Sequence, residues 1–199
     1  MTAALTRTDR PATDRRSQRT RAAILDAFAQ ILLSQGYEAI TPTGLAAAAN
    51  VGRSTFYEHF ANVDEVLAFS VARILAPVAT SITQAEPPPG LTDIIQHFWD
   101  NRRMARALLA GGGHPVIQRL FTEQIEAGLA ELRARLGVTA PRVSPKLAAT
   151  HLAAGALALI GAWLSGQASG SADEIAGTLH AGGYAAARAM SCRAAEAQA

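Results

Sequence analysis

The stretch TPTGLAAAANVGRSTFYEHF, residues 41–60, decides the fold. Thr41 in front of Pro42 marks a helix start, because Thr caps free backbone N–H groups and Pro at the first helical position loses no hydrogen bond. A short helix from Pro42 to Ala49 should follow, then a tight turn at Asn50, Val51 and Gly52. A second helix, Arg53 to His59, should bury Phe56 and Phe60 and turn Arg53, Ser54 and Tyr57 outward. Two short helices joined by a three-residue turn make a helix-turn-helix, whose second helix enters the DNA major groove while the first crosses the backbone. In that geometry Arg53 is placed to read a guanine edge and Thr55 to offer its methyl to thymine. Small Ser54 lets the backbone approach, and Tyr57 and His59 reach phosphates.

Upstream, Ile24, Phe28, Ile31 and Gln35, flanked by Leu25 and Leu32, predict a helix from about Ser17 to Ser34, ended by Gly36 in a left-handed cap. Residues 1–16 lack periodicity and read as a disordered basic tail. From Met1 to Arg21, Arg7, Arg10, Arg15, Arg16, Arg19 and Arg21 stand against Asp9 and Asp14, without the apolar run of an export signal.

Downstream, Asn62 with Glu65 starts a connecting helix over about 62–80, whose stripe Val66, Leu67, Phe69 and Ile74 should face the small domain. Pro77 should kink or end it, and Pro87 to Gly90 is a break. Further helices are predicted near 91–110, 114–136, 145–166 and 172–190. The reading is therefore all-α: a three-helix DNA-binding domain over 17–67, then a helical dimerisation and ligand-binding domain over 68–199.

In 199 residues, the formal charge of +2 is too small to announce a nucleic-acid binder. From Ala22 to Ser70 Arg53 faces Asp26, Glu38, Glu58, Asp64 and Glu65, so the basic character sits in the tail. The single cysteine, Cys192, excludes an intrachain disulfide and fits a reducing cytoplasm. Leu147 to Leu164 carries no Asp, Glu, Lys or Arg, but its Ala and Gly content suits close helix packing better than lipid, so no membrane span is expected. His97, His114, His151 and His180 never pair at i+3 or i+4, and Gly111 to Gly113 follows no strand. No metal site, cofactor or enzyme activity is expected.

In the C-terminal part, Leu152, Gly155, Ala156 and Leu159 on one helix and Ile175, Leu179, Gly182 and Ala186 on the next form small, apolar faces. These suit either a four-helix interface between two subunits or an intramolecular core. Phe69, Phe98, Trp99, Met104, Leu108, Phe121, Ile125 and Trp163 are candidates for a cavity lining, with Arg102, Gln118 or His151 as its polar groups. Such residues equally build ordinary core.

Gly36-Tyr37, Thr41, Leu45-Ala46 and the run Ala49 to Phe60 resemble the DNA-binding domain of the TetR repressor family, over roughly residues 19–67. The resemblance implies that Thr41, Thr43, Arg53, Ser54, Thr55, Tyr57 and His59, with Arg19, form the DNA face. It also implies a homodimer on a palindromic operator and an effector pocket in the C-terminal domain. Three positions depart from the family's pattern: Gly52 in place of a common Ser, Val63 in place of a Lys, and Asn50 in place of a Gly. They predict weaker backbone affinity, offset in part by the arginine tail. The function expected is a cytoplasmic repressor released by a small apolar or aromatic effector, with the connecting helix as lever. The rival is a ligand-binding protein that has kept the fold and lost operator recognition.

Overall fold

The computed structural model describes residues 10–192, and every regular element among them is helical. In chain order these are α1 (Arg10–Gln35), a 3-10 turn (Tyr37–Ala39), α2 (Pro42–Ala48), α3 (Arg53–His59), α4 (Val63–Thr83) and α5 (Leu91–Asp100). They continue with α6 (Arg102–Ala110), α7 (His114–Arg135), α8 (Pro145–Leu164) and α9 (Ala172–Ser191). The chain divides into two compact units, the first ending at Val66 and the second beginning at Leu67.

The first unit packs α1, α2 and α3 on one another. Ile24, Ala27, Phe28 and Leu32 recur on α1 at helical spacing and close over Leu45, Phe56 and Phe60, none more than 2% exposed. The buried line therefore runs through Ala27 and Leu32, while Ile31 is half-buried and Gln35 exposed. Gly36 turns the chain at φ 86° and ψ 170°, a positive-φ conformation outside the left-handed helical well that glycine alone adopts cheaply.

Helix α1 begins at Arg10 rather than near Ser17; residues 1–9 lie outside the described residues. The reason is local. Pro11 falls in the first turn, where its missing N–H costs nothing, and the following Ala and Arg residues propagate a helix already nucleated by the buried α1 core.

The second unit is built on the pair α7 and α8, with α9 packed on α5, α7 and α8, and α6 on α7 and α8. Ile117, Phe121, Ile125, Leu129 and Leu132 form the buried stripe of α7. Ala148, Ala149, Ala153 and Ala156 face inward from α8, and their small side chains permit close helix approach. By length and composition α4 and α8 could each cross a membrane, yet about half of each apolar window is buried inside the fold. Their apolarity therefore has an internal use.

Two helix boundaries differ from expectation. Helix α4 continues through Pro77 to Thr83. Proline removes one ladder bond to the carbonyl of exposed Arg73, where water can substitute, while Val78, Ala79 and Ile82 beyond it are at most 4% exposed and hold the turn. The predicted helix over 91–110 is two helices, broken at Asn101. Asn101 leaves the helical well at φ −104° and ψ 24°, and its backbone N–H and side-chain amide both donate to the His97 carbonyl at 3.0 Å.

Helix α4 makes its closest approaches where partners carry no side chain. A Cβ on Gly183 would lie 2.9 Å from Ile82 Cγ1, and one on Gly128 would collide with the Thr83 side chain. Arg135 secures the same end by donating to the Thr83 carbonyl at 2.9 Å. Gly128→Ala is expected to destabilise the protein by about 1–3 kcal/mol through overpacking. Gly177→Ala, exposed on α9 with nothing within 4 Å of a new Cβ, should stabilise it by about 0.5–1 kcal/mol. Paired urea titrations of the two variants check both signs.

Candidate nucleic-acid interface and apolar cavity

Thr41 caps α2: its Oγ1 accepts from the Gly44 N–H at 3.0 Å, with Pro42 behind it in the first turn. The turn then closes through Val51 N–H to the Ala46 carbonyl at 2.9 Å, with Asn50 at φ 52°. Asn tolerates that left-handed conformation because its short side chain bonds locally. Gly52 is the N-cap of α3 and supplies no side-chain bond, as its identity dictates.

Phe56 is fully buried and Phe60 is 2% exposed, their rings 6.2 Å apart. These two rings fix the rotation of α3. Arg53, Ser54 and Tyr57 consequently point outward, Tyr57 with half its surface exposed, while Thr55 and His59 flank them half-buried. Thr43 and Arg19 are also exposed. Glu58 shares the outward side of α3, so the face is not uniformly basic.

A second device was not foreseen from the sequence. The Tyr37 hydroxyl donates to Asp64 Oδ1 at 2.8 Å, and the Tyr37 ring meets Phe28 edge-on at 6.3 Å. The first turn of α4 is further tied down by Asn62, whose Oδ1 accepts from Glu65 N–H at 2.9 Å, while Ala61 N–H donates to the Glu65 carboxylate. Burial, and then the Asp64 hydrogen bond and charge, push the Tyr37 phenol above its ordinary range.

The second unit contains an apolar cavity of about 140 Å³ lined from α4, α5, α6, α7 and α8. Of the expected lining, Phe98, Met104 and Leu108 are present. Ser70, Val71, Ile74, Leu75, His97, Asn101, Ala105, Leu109, Ile117, Leu157 and Ile160 complete it, none of which the sequence reading had placed there.

The other expected residues lie elsewhere. Phe69 is 47% exposed, one position off the α4 face that lines the cavity. Phe121 and Ile125 are fully buried in the α7 core, one and two turns beyond Ile117 in the same stripe. Trp99 meets Trp163 at 5.0 Å with the rings tilted by 33°, under the Arg102 guanidinium at 5.2 Å, a partly exposed cluster outside the cavity lining. His151 sits in a shallow groove between α8 and α9, and Gln118 in a cleft with Arg106 and His114.

That α8–α9 groove also collects the eight residues expected at a subunit interface, except Ile175. Leu152, Ala156, Ile175 and Leu179 are at most 7% exposed within the chain itself. Gly155 and Gly182 are exposed, and Leu159 and Ala186 are half-buried. Among the described residues no three of His, Cys, Asp and Glu gather as a metal site.

Residues 24–68 match the family model described as bacterial regulatory proteins, tetR family. The chain is 34% identical over 163 residues, 78% of its length and 80% of the relative's, to the HTH-type transcriptional repressor Rv3405c of Mycobacterium tuberculosis. It is 38% identical over 76 residues to the uncharacterized HTH-type regulator YxbF of Bacillus subtilis, spanning 38% of this chain and 20% of that protein. A TetR transcriptional regulator from Streptococcus agalactiae superposes with a TM-score of 0.57 at 22% identity, covering 84% of this chain and 95% of that one.

A tyrosine held above its unfolded pKa stabilises the fold while protonated. That contribution is present below about pH 10 and is lost as pH rises beyond it. Tyr37→Phe should cost about 0.5–1.5 kcal/mol at neutral pH. Its urea midpoint should also fall less steeply than that of the parent between about pH 9 and 11.

Proposed function

Because the chain belongs to the TetR family of bacterial regulatory proteins and is a DNA-binding transcription regulator, we propose that it is a homodimeric repressor. A small apolar or aromatic effector releases it from a palindromic operator. The observation that carries the DNA half is the outward set Arg53, Ser54 and Tyr57, fixed on a helix whose opposite side is buried through Phe56. Arg53 and Ser54 occupy the N-terminal end of α3, the end that meets base edges when such a helix enters the major groove. Repression is supported by the relative from Mycobacterium tuberculosis, which carries that designation. Such a repressor acts in the cytoplasm, where the operator is.

Dimerisation through α8 and α9 is supported by Gly155 and Gly182, where a second copy can approach the backbone closely. A two-fold dimer then requires a palindrome, since each recognition helix reads one half-site. Effector response is supported by the cavity, which touches α4 at Ser70, Val71, Ile74 and Leu75. The first turn of that same helix holds the Asp64 and Glu65 bonds of the DNA-binding unit. A ligand that favours one position of α4 shifts the population between operator-competent and released states.

A second reading is favoured by Gly52 and Val63, which remove one helix cap and one phosphate anchor. It describes a ligand-binding protein with only salt-sensitive, non-specific DNA affinity. Selection of bound sequences from random duplex DNA at physiological salt separates the two. The repressor reading expects one palindromic consensus, relaxed at a single position in each half-site by Arg53→Ala, at a cost of about 1–3 kcal/mol. Absence of a consensus supports the second reading.

Gly155→Arg places a long charged side chain on the proposed dimer face without entering the core. Light scattering should show the mass halved, and affinity for the full palindrome should drop by at least about tenfold as two linked half-site contacts become independent. A variant that remains dimeric would move the interface away from this face.

A further inference from the structure

The cavity lining contains no Asp, Glu, Lys or Arg; its polar side chains are Ser70, His97 and Asn101. Arg102, beside Asn101 in sequence, is engaged with the Trp99 ring and donates to the Trp99 carbonyl at 3.1 Å. An ionised ligand seated there would therefore bring its charge against an apolar lining with no counter-charge, which is unfavourable. The three polar groups are themselves pre-positioned. Ser70 donates to the Leu67 carbonyl at 2.7 Å, which leaves its oxygen free to accept. The Asn101 amide nitrogen is committed to the His97 carbonyl at 3.0 Å and lies 3.2 Å from His97 Nδ1, leaving Asn101 Oδ1 as an acceptor. At about 140 Å³ the space approaches the roughly 150 Å³ of an apolar cavity that accommodates benzene.

We propose that this cavity takes an uncharged molecule of about one substituted six-membered ring. Its single hydroxyl group donates to the acceptor oxygens of Ser70 or Asn101, beside His97, while Met104, Leu108 and Ile160 line the ring site. The proposal rests on the reading of the chain as an effector-responsive regulator, and names the chemistry of that effector. The lining disfavours carboxylates, acyl phosphates and other anions, for which it offers no counter-charge.

Three probes of one ring size test it on the full-length protein: p-cresol, toluene and benzoate near pH 7. p-Cresol should raise the thermal midpoint by about 5 °C or more once it exceeds its Kd a hundredfold. Calorimetry should show toluene binding about tenfold more weakly than p-cresol, the equivalent of one hydrogen bond, and benzoate not binding. Asn101→Ala should abolish the preference for p-cresol over toluene while leaving toluene affinity within about threefold. Ser70→Ala repeats the test at a position that caps no helix. Benzoate binding as tightly as p-cresol, equal affinity for p-cresol and toluene, or no binding of either neutral ring would overturn the proposal. Release of the selected DNA is scored separately. p-Cresol bound without release retains the ligand class and removes the effector role; release by an anionic compound with no neutral ring bound does the reverse.

Discussion

The recognition helix α3 has seven residues, too few to persist alone in water, so its existence depends on burial of Phe56 and Phe60. That one constraint sets both its stability and its rotation. Once the two rings are seated over Ile24, Phe28 and Leu45, the positions between them in the helical repeat must face outward, and these carry Arg53, Ser54 and Tyr57. The surface proposed to read bases is thus the reverse side of a hydrophobic contact. From Ala22 to Ser70 the acidic balance leaves the proposed readout to the position of these side chains rather than to bulk charge.

The second unit solves a different problem. It must enclose space without collapsing, and it does so by giving close approach to some helix pairs and withholding it from others. Glycines at 128 and 183 let α7 and α9 approach the end of α4 closely, and the alanines of α8 let it pack against α7. Nearer the start of α4, the larger side chains of Met104, Leu108 and Ile160 surround a gap instead. The break at Asn101 contributes here, because it ends α5 and starts α6 beside that gap and turns a helix defect into a polar edge.

Helix α4 belongs to both units. Its first turn is fastened through Asp64 and Glu65, and its later turns line the cavity and then pack on α7 and α9. Passage through Pro77 keeps it one element up to Thr83, a few residues beyond the expected end near 80. The buried neighbours of Pro77 outweigh the one lost hydrogen bond.

The sequence by itself determined what depends on near neighbours: the Thr41–Pro42 helix start, the Asn50 turn, the α3 span, and the Asn62–Glu65 start of α4. These rest on hydrogen bonds between residues at most five apart and on a helical period that can be counted. The all-helical fold and the helix-turn-helix followed from them. Only tertiary structure decided the Tyr37–Asp64 bond, the retreat of Phe121, Ile125, Trp99 and Trp163 into core or cluster, and the cavity's membership from Ser70 to Ile160. The physical reason is that an apolar side chain in a helix has the same sequence signature whether it meets another side chain or a void. Which of the two it meets is set by the approach of other helices, through glycines and alanines far away in the chain.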